Sequence, residues 1–155
     1  MTPHEEEVAR ISAAVKDLFD RKQSFRIFHG STNSTRPAHD DHFVDISSLS
    51  NVLKVDRNSR TAIVEPNVPM DTLVRTTLAH GMIPPVVMEF PGITVGGGYA
   101  GSAGESSSFK YGYFNETVKS VEMVLGNGEV CFPPYFDMCM FGIAHLRSHY
   151  LTIMQ

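Results

Sequence analysis

Residues 94–112 read TVGGGYAGSAGESSSFKYG, with six glycines among small and hydroxylated residues in 19 positions. Glycine loses more backbone freedom on ordering than any other residue, so this run argues against regular helix or strand. It offers instead a main chain that can approach a ligand closely. Bare N–H groups and the hydroxyls of Ser102, Ser106, Ser107 and Ser108 can surround a phosphate or the polar edge of a ring. A nucleotide-type cofactor is the ligand this chemistry implies.

The run is not a plain linker, because Val95, Tyr99, Phe109, Tyr111 and, just beyond, Phe114 punctuate it. It contains no GxxxxGK[ST], and its glycines do not open a helical pattern after a strand as GxGxxG requires. Upstream, His29-Gly30-Ser31-Thr32-Asn33-Ser34-Thr35 follows a short apolar run and can form a second turn of N–H groups and hydroxyls suited to a diphosphate. Two such loops bracketing a helix-containing unit reinforce each other. Glu89, Glu105, Lys110 and Tyr111 lie in or beside the glycine segment, and His29, His39 and His42 flank the first loop; sequence gives no mutual distances. There is no GxSxG and no HExxH, and the carboxylates show no paired-acid pattern, so hydrolytic chemistry has no support.

Around these loops the apolar spacing predicts the elements. Val8, Ile11, Ala14, Val15, Leu18 and Phe19 recur at helical intervals behind Glu5, Glu6 and Glu7, which predicts one amphipathic helix over 5–22. Short strands are expected at 25–28 and 43–46, and a hairpin from 51–56 and 61–65 across Arg57-Asn58-Ser59-Arg60. A helix is expected from Pro69 to Ala79 with Gly81 at its end, and a second hairpin from 118–125 and 129–132 across Asn127-Gly128. The class is α+β. The Met-, His- and aromatic-rich stretch from Pro133 onward has no clean period and is assigned to no element.

A net charge of −4 and the lack of any extended Lys/Arg cluster argue against nucleic acid as a partner. The first residues lack the pattern of a secretory signal, no run of about eighteen apolar residues is present, and the expected location is the cytoplasm. Cys131 and Cys139 match no zinc spacing and are read as free thiols, so no metal is expected.

Four blocks then carry a resemblance: FVDISSLSNVLKVD, TAIVEPNVPMDTLV, GMIPPVVMEFPGITVGGGYAGSAGESSSFKYGYF and VEMVLGNGEV. In this order they resemble the FAD-binding PCMH-type domain of the vanillyl-alcohol oxidase family, and within it the delta(24)-sterol reductase, diminuto-like branch. The resemblance implies a PCMH-type fold of two α/β subdomains, the second incomplete, with FAD extended between them. It divides the chain into an N-terminal helix at 1–24, a partial cofactor domain at 25–132 and an atypical tail at 133–155, which reads as a truncation or a mis-spliced end.

Carried over position by position, the cofactor would be held by His29, Gly30, Ser31, Thr32, Asn33 and Ser34. A second set would be Thr94, Val95, Gly96, Gly97, Gly98, Tyr99, Ala100, Gly101, Ser102, Ala103, Gly104, Glu105 and Ser106. Thr32 and Asn33 stand where covalent members of the wider family carry a histidine, which implies noncovalent FAD. The branch further implies NADPH as reductant, a sterol with a side-chain double bond as small-molecule substrate, and peripheral association with the endoplasmic reticulum membrane as one setting. The resemblance assigns no catalytic residue; Glu105, Lys110 and Tyr111 stay open as the proton source. An FAD-linked oxidase or dehydrogenase of alcohols or hydroxy acids is the rival enzyme class, and an inactive FAD-binding fragment the non-enzymatic one.

Overall fold

A capping box starts the chain's first helix. In the computed structural model, which describes residues 1–30, 42–132 and the backbone of 145–152, the Glu5 amide donates to Thr2 Oγ1 at 3.2 Å. The Thr2 amide donates in return to Glu5 Oε2 at 2.7 Å, and Pro3 supplies a first helical residue with no N–H to satisfy. Helix α1 (Pro3–Asp20) buries Ile11 and Val15 against Val44, Ile46, Leu49 and Val124. Its polar side is tied down as well: Glu7 takes a bidentate pair from Arg10 at 2.9 and 2.5 Å and a bond from the Ser48 hydroxyl, while Arg10 also donates to the Asp45 carbonyl.

The Arg10 pair, then the Ser48 hydroxyl, hold the Glu7 carboxyl down to about 2. A carboxylate depressed in the folded state contributes stability that is complete above its unfolded value and is lost as pH falls through the folded one. Glu7→Gln is therefore expected to lower stability by about 1 kcal/mol near pH 7, after allowance for solvent screening at this part-exposed pair. The gap to the parent should close between about pH 4.5 and pH 2, as thermal unfolding at stepped pH will record.

Strands β1 (Arg26–Phe28) and β2 (Phe43–Asp45) form a two-stranded parallel sheet beside α1. A larger sheet follows, built on the hairpin of β3 (Val52–Asp56) and β4 (Thr61–Val64), whose turn is closed by Asp56 Oδ1 accepting the Asn58 and Ser59 amides. Helix α2 (Met70–Leu78) lays Met70, Leu73 and Thr77 inward, and Gly81 takes the positive φ of 72° that its end requires. Strands β5 (Val118–Val124) and β6 (Val130–Cys131) make the second hairpin. Its turn is pressed onto α1: a Cβ at Gly128 would stand 2.8 Å from the Ser12 carbonyl oxygen.

One strand of the sheet was not expected. Residues 145–152 form β7 (His145–Thr152), paired antiparallel with both β4 and β5, so the order is β3-β4-β7-β5-β6. A strand flanked on both sides is placed by its neighbours' free edges, and its mixed sequence HLRSHYLT carries no clear alternation by which to read it.

The glycine segment also departs from the expectation of irregular backbone. Val95–Ala100 is a short helix, α3, and Ser108–Tyr111 a single turn, α4, followed by a 3₁₀ turn at Phe114–Thr117. Tertiary contact overrides glycine's weak propensity here. The main core gathers Ala62 and Val64 of β4, Met70 and Leu73 of α2, Met88, Val95 and Phe114 around α3. The architecture is α+β, with two sheets of different kind and the glycine segment packed at one side of the larger core.

Candidate functional site

Three consecutive glycines in α3 have three different surroundings. A Cβ on Gly96 would lie 2.9 Å from Pro66 Cβ and 3.1 Å from its carbonyl oxygen, and one on Gly98 would lie 2.3 Å from Met88 Sδ. Those two glycines let the helix sink into protein. Gly97 is exposed and would meet only Thr94 Oγ1, at 3.1 Å. With Ala100 and Gly101, also exposed, it makes a helix face bearing nothing larger than a methyl group.

The amides at the start of α3 were expected to serve a ligand, and four of them serve the protein. Val95 N–H donates to the Val68 carbonyl at 2.9 Å, Gly96 to Pro66 at 2.8 Å, Gly98 to Thr94 at 2.8 Å, and Gly97 to Thr94 Oγ1 at 3.2 Å. Further along, the amides of Gly104, Ser106 and Ser107 carry no hydrogen bond among the described residues. Ser106 and Ser107 line a cleft of about 350 Å³ with Glu105 and Tyr111, facing Ile83, Pro84, Pro85 and Val87. Glu105 joins the two walls, since its Oε1 accepts the Glu89 amide at 2.8 Å while its own amide donates to Ser108 Oγ at 2.9 Å. The Lys110 ammonium sits 4.9 Å from the centre of the Tyr111 ring.

Of the first loop, His29 and Gly30 are described, and Ser31, Thr32, Asn33, Ser34 and His39 lie outside the described residues. Gly30 adopts φ 69° and approaches Ser47, whose Cβ would be 3.2 Å from a Cβ at Gly30. The Ile46 amide donates to Phe28, so the chain leaves β1 directly beside residues 46–47. His42 is exposed at the entry to β2. Cys131 forms no disulfide among the described residues and Cys139 lies outside them; no group of three metal-ligating side chains occurs among the described residues.

Sequence reasoning passed over His4, Glu65 and Glu122. His4 Nδ1 is 2.8 Å from Glu65 Oε1 and Nε2 3.1 Å from Glu122 Oε2, although the partners are 61 and 118 residues away along the chain. No local pattern signals a contact of that span.

A bare helix face, followed a few residues along the chain by a cleft edged with hydroxyls and with amides unbonded among the described residues, suits a flat, polar-edged nucleotide. The sequence profile of the family described as "FAD binding domain" matches residues 3–132. The chain belongs to this FAD-binding domain family.

Within the FAD-binding family, the chain is 40% identical over 90 residues to the delta(24)-sterol reductase of Pisum sativum, 57% of this chain and 16% of that protein. It is 35% identical over 107 residues to a delta(24)-sterol reductase homologue of Caenorhabditis elegans, 69% of this chain and 19% of the other. A decaprenylphosphoryl-beta-D-ribose oxidase of Mycolicibacterium smegmatis is 30% identical over 87 residues, 56% of this chain and 19% of the oxidase. The chain thus spans less than a fifth of the length of these relatives. Among solved structures, 6-hydroxy-D-nicotine oxidase of Arthrobacter nicotinovorans superposes with a TM-score of 0.78 at 15% identity, over 96% of this chain and 35% of the oxidase. Phl p 4.0202, a glucose dehydrogenase, gives 0.75 at 23% identity, over 95% of this chain and 33% of its own. These two share the fold. It is the PCMH-type FAD-binding fold, of which the chain holds part.

Proposed function

We propose that the chain binds FAD noncovalently and forms the flavin-holding part of an NADPH-dependent enzyme that reduces a sterol side-chain double bond. The observation that carries this reading is the 40% identity over 90 residues to a delta(24)-sterol reductase. Bound FAD supplies a two-electron carrier between NADPH and the alkene. On this reading residues 25–132 form the cofactor unit, with the helix of 1–24 docked onto it.

The chain's own part is binding and exclusion of water. The bare face of Gly97, Ala100 and Gly101 lets a diphosphate or ring lie against backbone, and the amides of Gly104, Ser106 and Ser107, unbonded among the described residues, donate to its acceptor atoms. Ile83, Pro84, Pro85 and Val87 form the apolar wall opposite. His29 to Ser34 take the second end of the cofactor, and Thr32 and Asn33 offer no imidazole for a covalent bond to the ring. Of the three candidate proton sources, Glu105 is engaged with the Glu89 amide and Lys110 lies exposed over Tyr111. Tyr111 lines the cleft, which favours its hydroxyl.

The same cofactor unit serves oxidases, and the match to the mycobacterial oxidase favours that second reading. Anaerobic mixing of the FAD-loaded chain with NADPH and a sterol alkene, set against oxygen uptake with alcohols and hydroxy acids, separates the two. Flavin bleaching by NADPH is expected, and bleaching by hydroxy acids alone would overturn the reductase reading. Among the described residues no helix is long and apolar enough to cross a membrane. A sterol substrate would be drawn from a membrane surface, and we place the enzyme on the cytoplasmic side of the endoplasmic reticulum.

A further inference from the structure

Between β4 and α2 the chain passes through Glu65-Pro66-Asn67-Val68, all four buried. On one side this turn grips the segment beside the first loop. Asn67 Nδ2 donates to the Ile46 carbonyl at 2.5 Å, the Asn67 amide to the Leu49 carbonyl at 2.9 Å, and the Glu65 amide to the Asn51 carbonyl at 3.0 Å. Residues 46–47 are the ones that back onto Phe28 and Gly30. On the other side the turn holds α3. The Pro66 and Val68 carbonyls accept the Gly96 and Val95 amides, Pro66 fills the space left by the missing side chain of Gly96, and Pro69 bridges to Thr94.

The turn itself is anchored from two further directions. Glu65 Oε2 accepts the Asn51 amide at 2.7 Å and its side-chain Nδ2 at 2.8 Å, and Glu65 Oε1 meets His4 of α1, whose other ring nitrogen faces Glu122 of β5. One buried turn therefore hydrogen-bonds to the backbone of the glycine segment and to that of residues 46–51, on which Phe28 and Gly30 at the start of the first loop rest. Such bonds fix spacing as well as contributing stability.

We propose that the Glu65–Val68 turn is a strut setting the separation of the two cofactor loops, with Asn67 and His4 as its positioning residues. This rests on the FAD reading for its purpose, but not for its mechanics. Loss of the strut loosens 46–49 and 94–98 together, at two sites remote in sequence, and costs affinity for a ligand that must reach both.

Hydrogen exchange by mass spectrometry on the full chain without cofactor tests the mechanics. Asn67→Ala is expected to speed exchange about tenfold in peptides spanning 46–49 and 94–98 alike, and to weaken FAD binding tenfold or more. His4→Gln, on the part-exposed end of α1, should give the same paired pattern at about threefold, and serves if Asn67→Ala does not fold. Ser12→Ala, which removes a bond to the Gly128 carbonyl away from both loops, should give neither effect. A change confined to one peptide, no change, or the same pattern in Ser12→Ala overturns the strut. Paired loosening in a chain that never takes up FAD would leave the strut standing and sink the cofactor reading.

Discussion

Gly97→Leu is expected to leave the cofactor-free protein as stable as the parent, within about 1 kcal/mol, while weakening FAD binding about a hundredfold. Leucine is a better helix former than glycine by most of the roughly 0.8–1 kcal/mol that separates glycine from alanine, and that gain offsets the tight 3.1 Å approach of the new Cβ to Thr94 Oγ1. Beyond its chain neighbours and the helix's own backbone, no other atom of the described residues lies within 4 Å of that Cβ, and the position is exposed. A ligand lying on the face of Gly97, Ala100 and Gly101 would meet the whole isobutyl group. A hundredfold loss corresponds to about 2.8 kcal/mol, well within what displacement of a ring or diphosphate from its contact surface costs. Thermal unfolding without cofactor and a flavin titration on the same sample read the two quantities separately. Equal affinity in the variant would remove α3 from the cofactor site.

The neighbouring substitution should do the opposite. Gly96→Ala places a methyl group 2.9 Å from Pro66 Cβ and 3.1 Å from the Pro66 carbonyl oxygen, and the proline ring and backbone cannot swing aside as a flexible side chain would. Overpacking of this kind costs about 1–3 kcal/mol, set against less than 1 kcal/mol gained in helix propensity. The unfolding midpoint should fall by roughly 5 °C, with exchange at residues 94–98 rising. Gly98→Ala is predicted to lie between the two. Its nearest contacts are the Sδ and Cε of Met88, a mobile chain end, but that end is buried beside Phe114. An order of stability other than Gly97→Leu above Gly98→Ala above Gly96→Ala would mean that α3 does not pack as described.

These contrasts also mark how far the sequence could be read. Helix α1 and both hairpins were legible because their signals are local: the Glu-rich first turn and heptad-like spacing of Val8, Ile11 and Val15, and the Asn127-Gly128 pair between two apolar runs. The glycine segment announced close approach, but composition cannot say what approaches. Gly96 and Gly98 admit Pro66 and Met88, and Gly97 alone of the three stays open to solvent. The resemblance of the TVGG and ESSSFKYG blocks to a flavin-binding family supplied what spacing could not, and the match over residues 3–132 bears out that family. Strand β7 was illegible because its neighbours place it, and the His4, Glu65 and Glu122 contact because its partners are far apart in sequence. Of the Glu65–Val68 turn, Glu65 was read as the end of a strand and the rest only as part of the TAIVEPNVPMDTLV block. Its role depends on where two distant loops arrive.

On the proposed function, this chain holds FAD between the loop after β1 and the glycine segment. Titrating the purified full chain with FAD, with far-ultraviolet circular dichroism as the check that it is folded, tests this most directly. Saturable one-to-one uptake, a shifted visible flavin spectrum and release of free FAD on acid denaturation are expected. A folded chain that leaves the flavin spectrum unchanged at every ratio contradicts it.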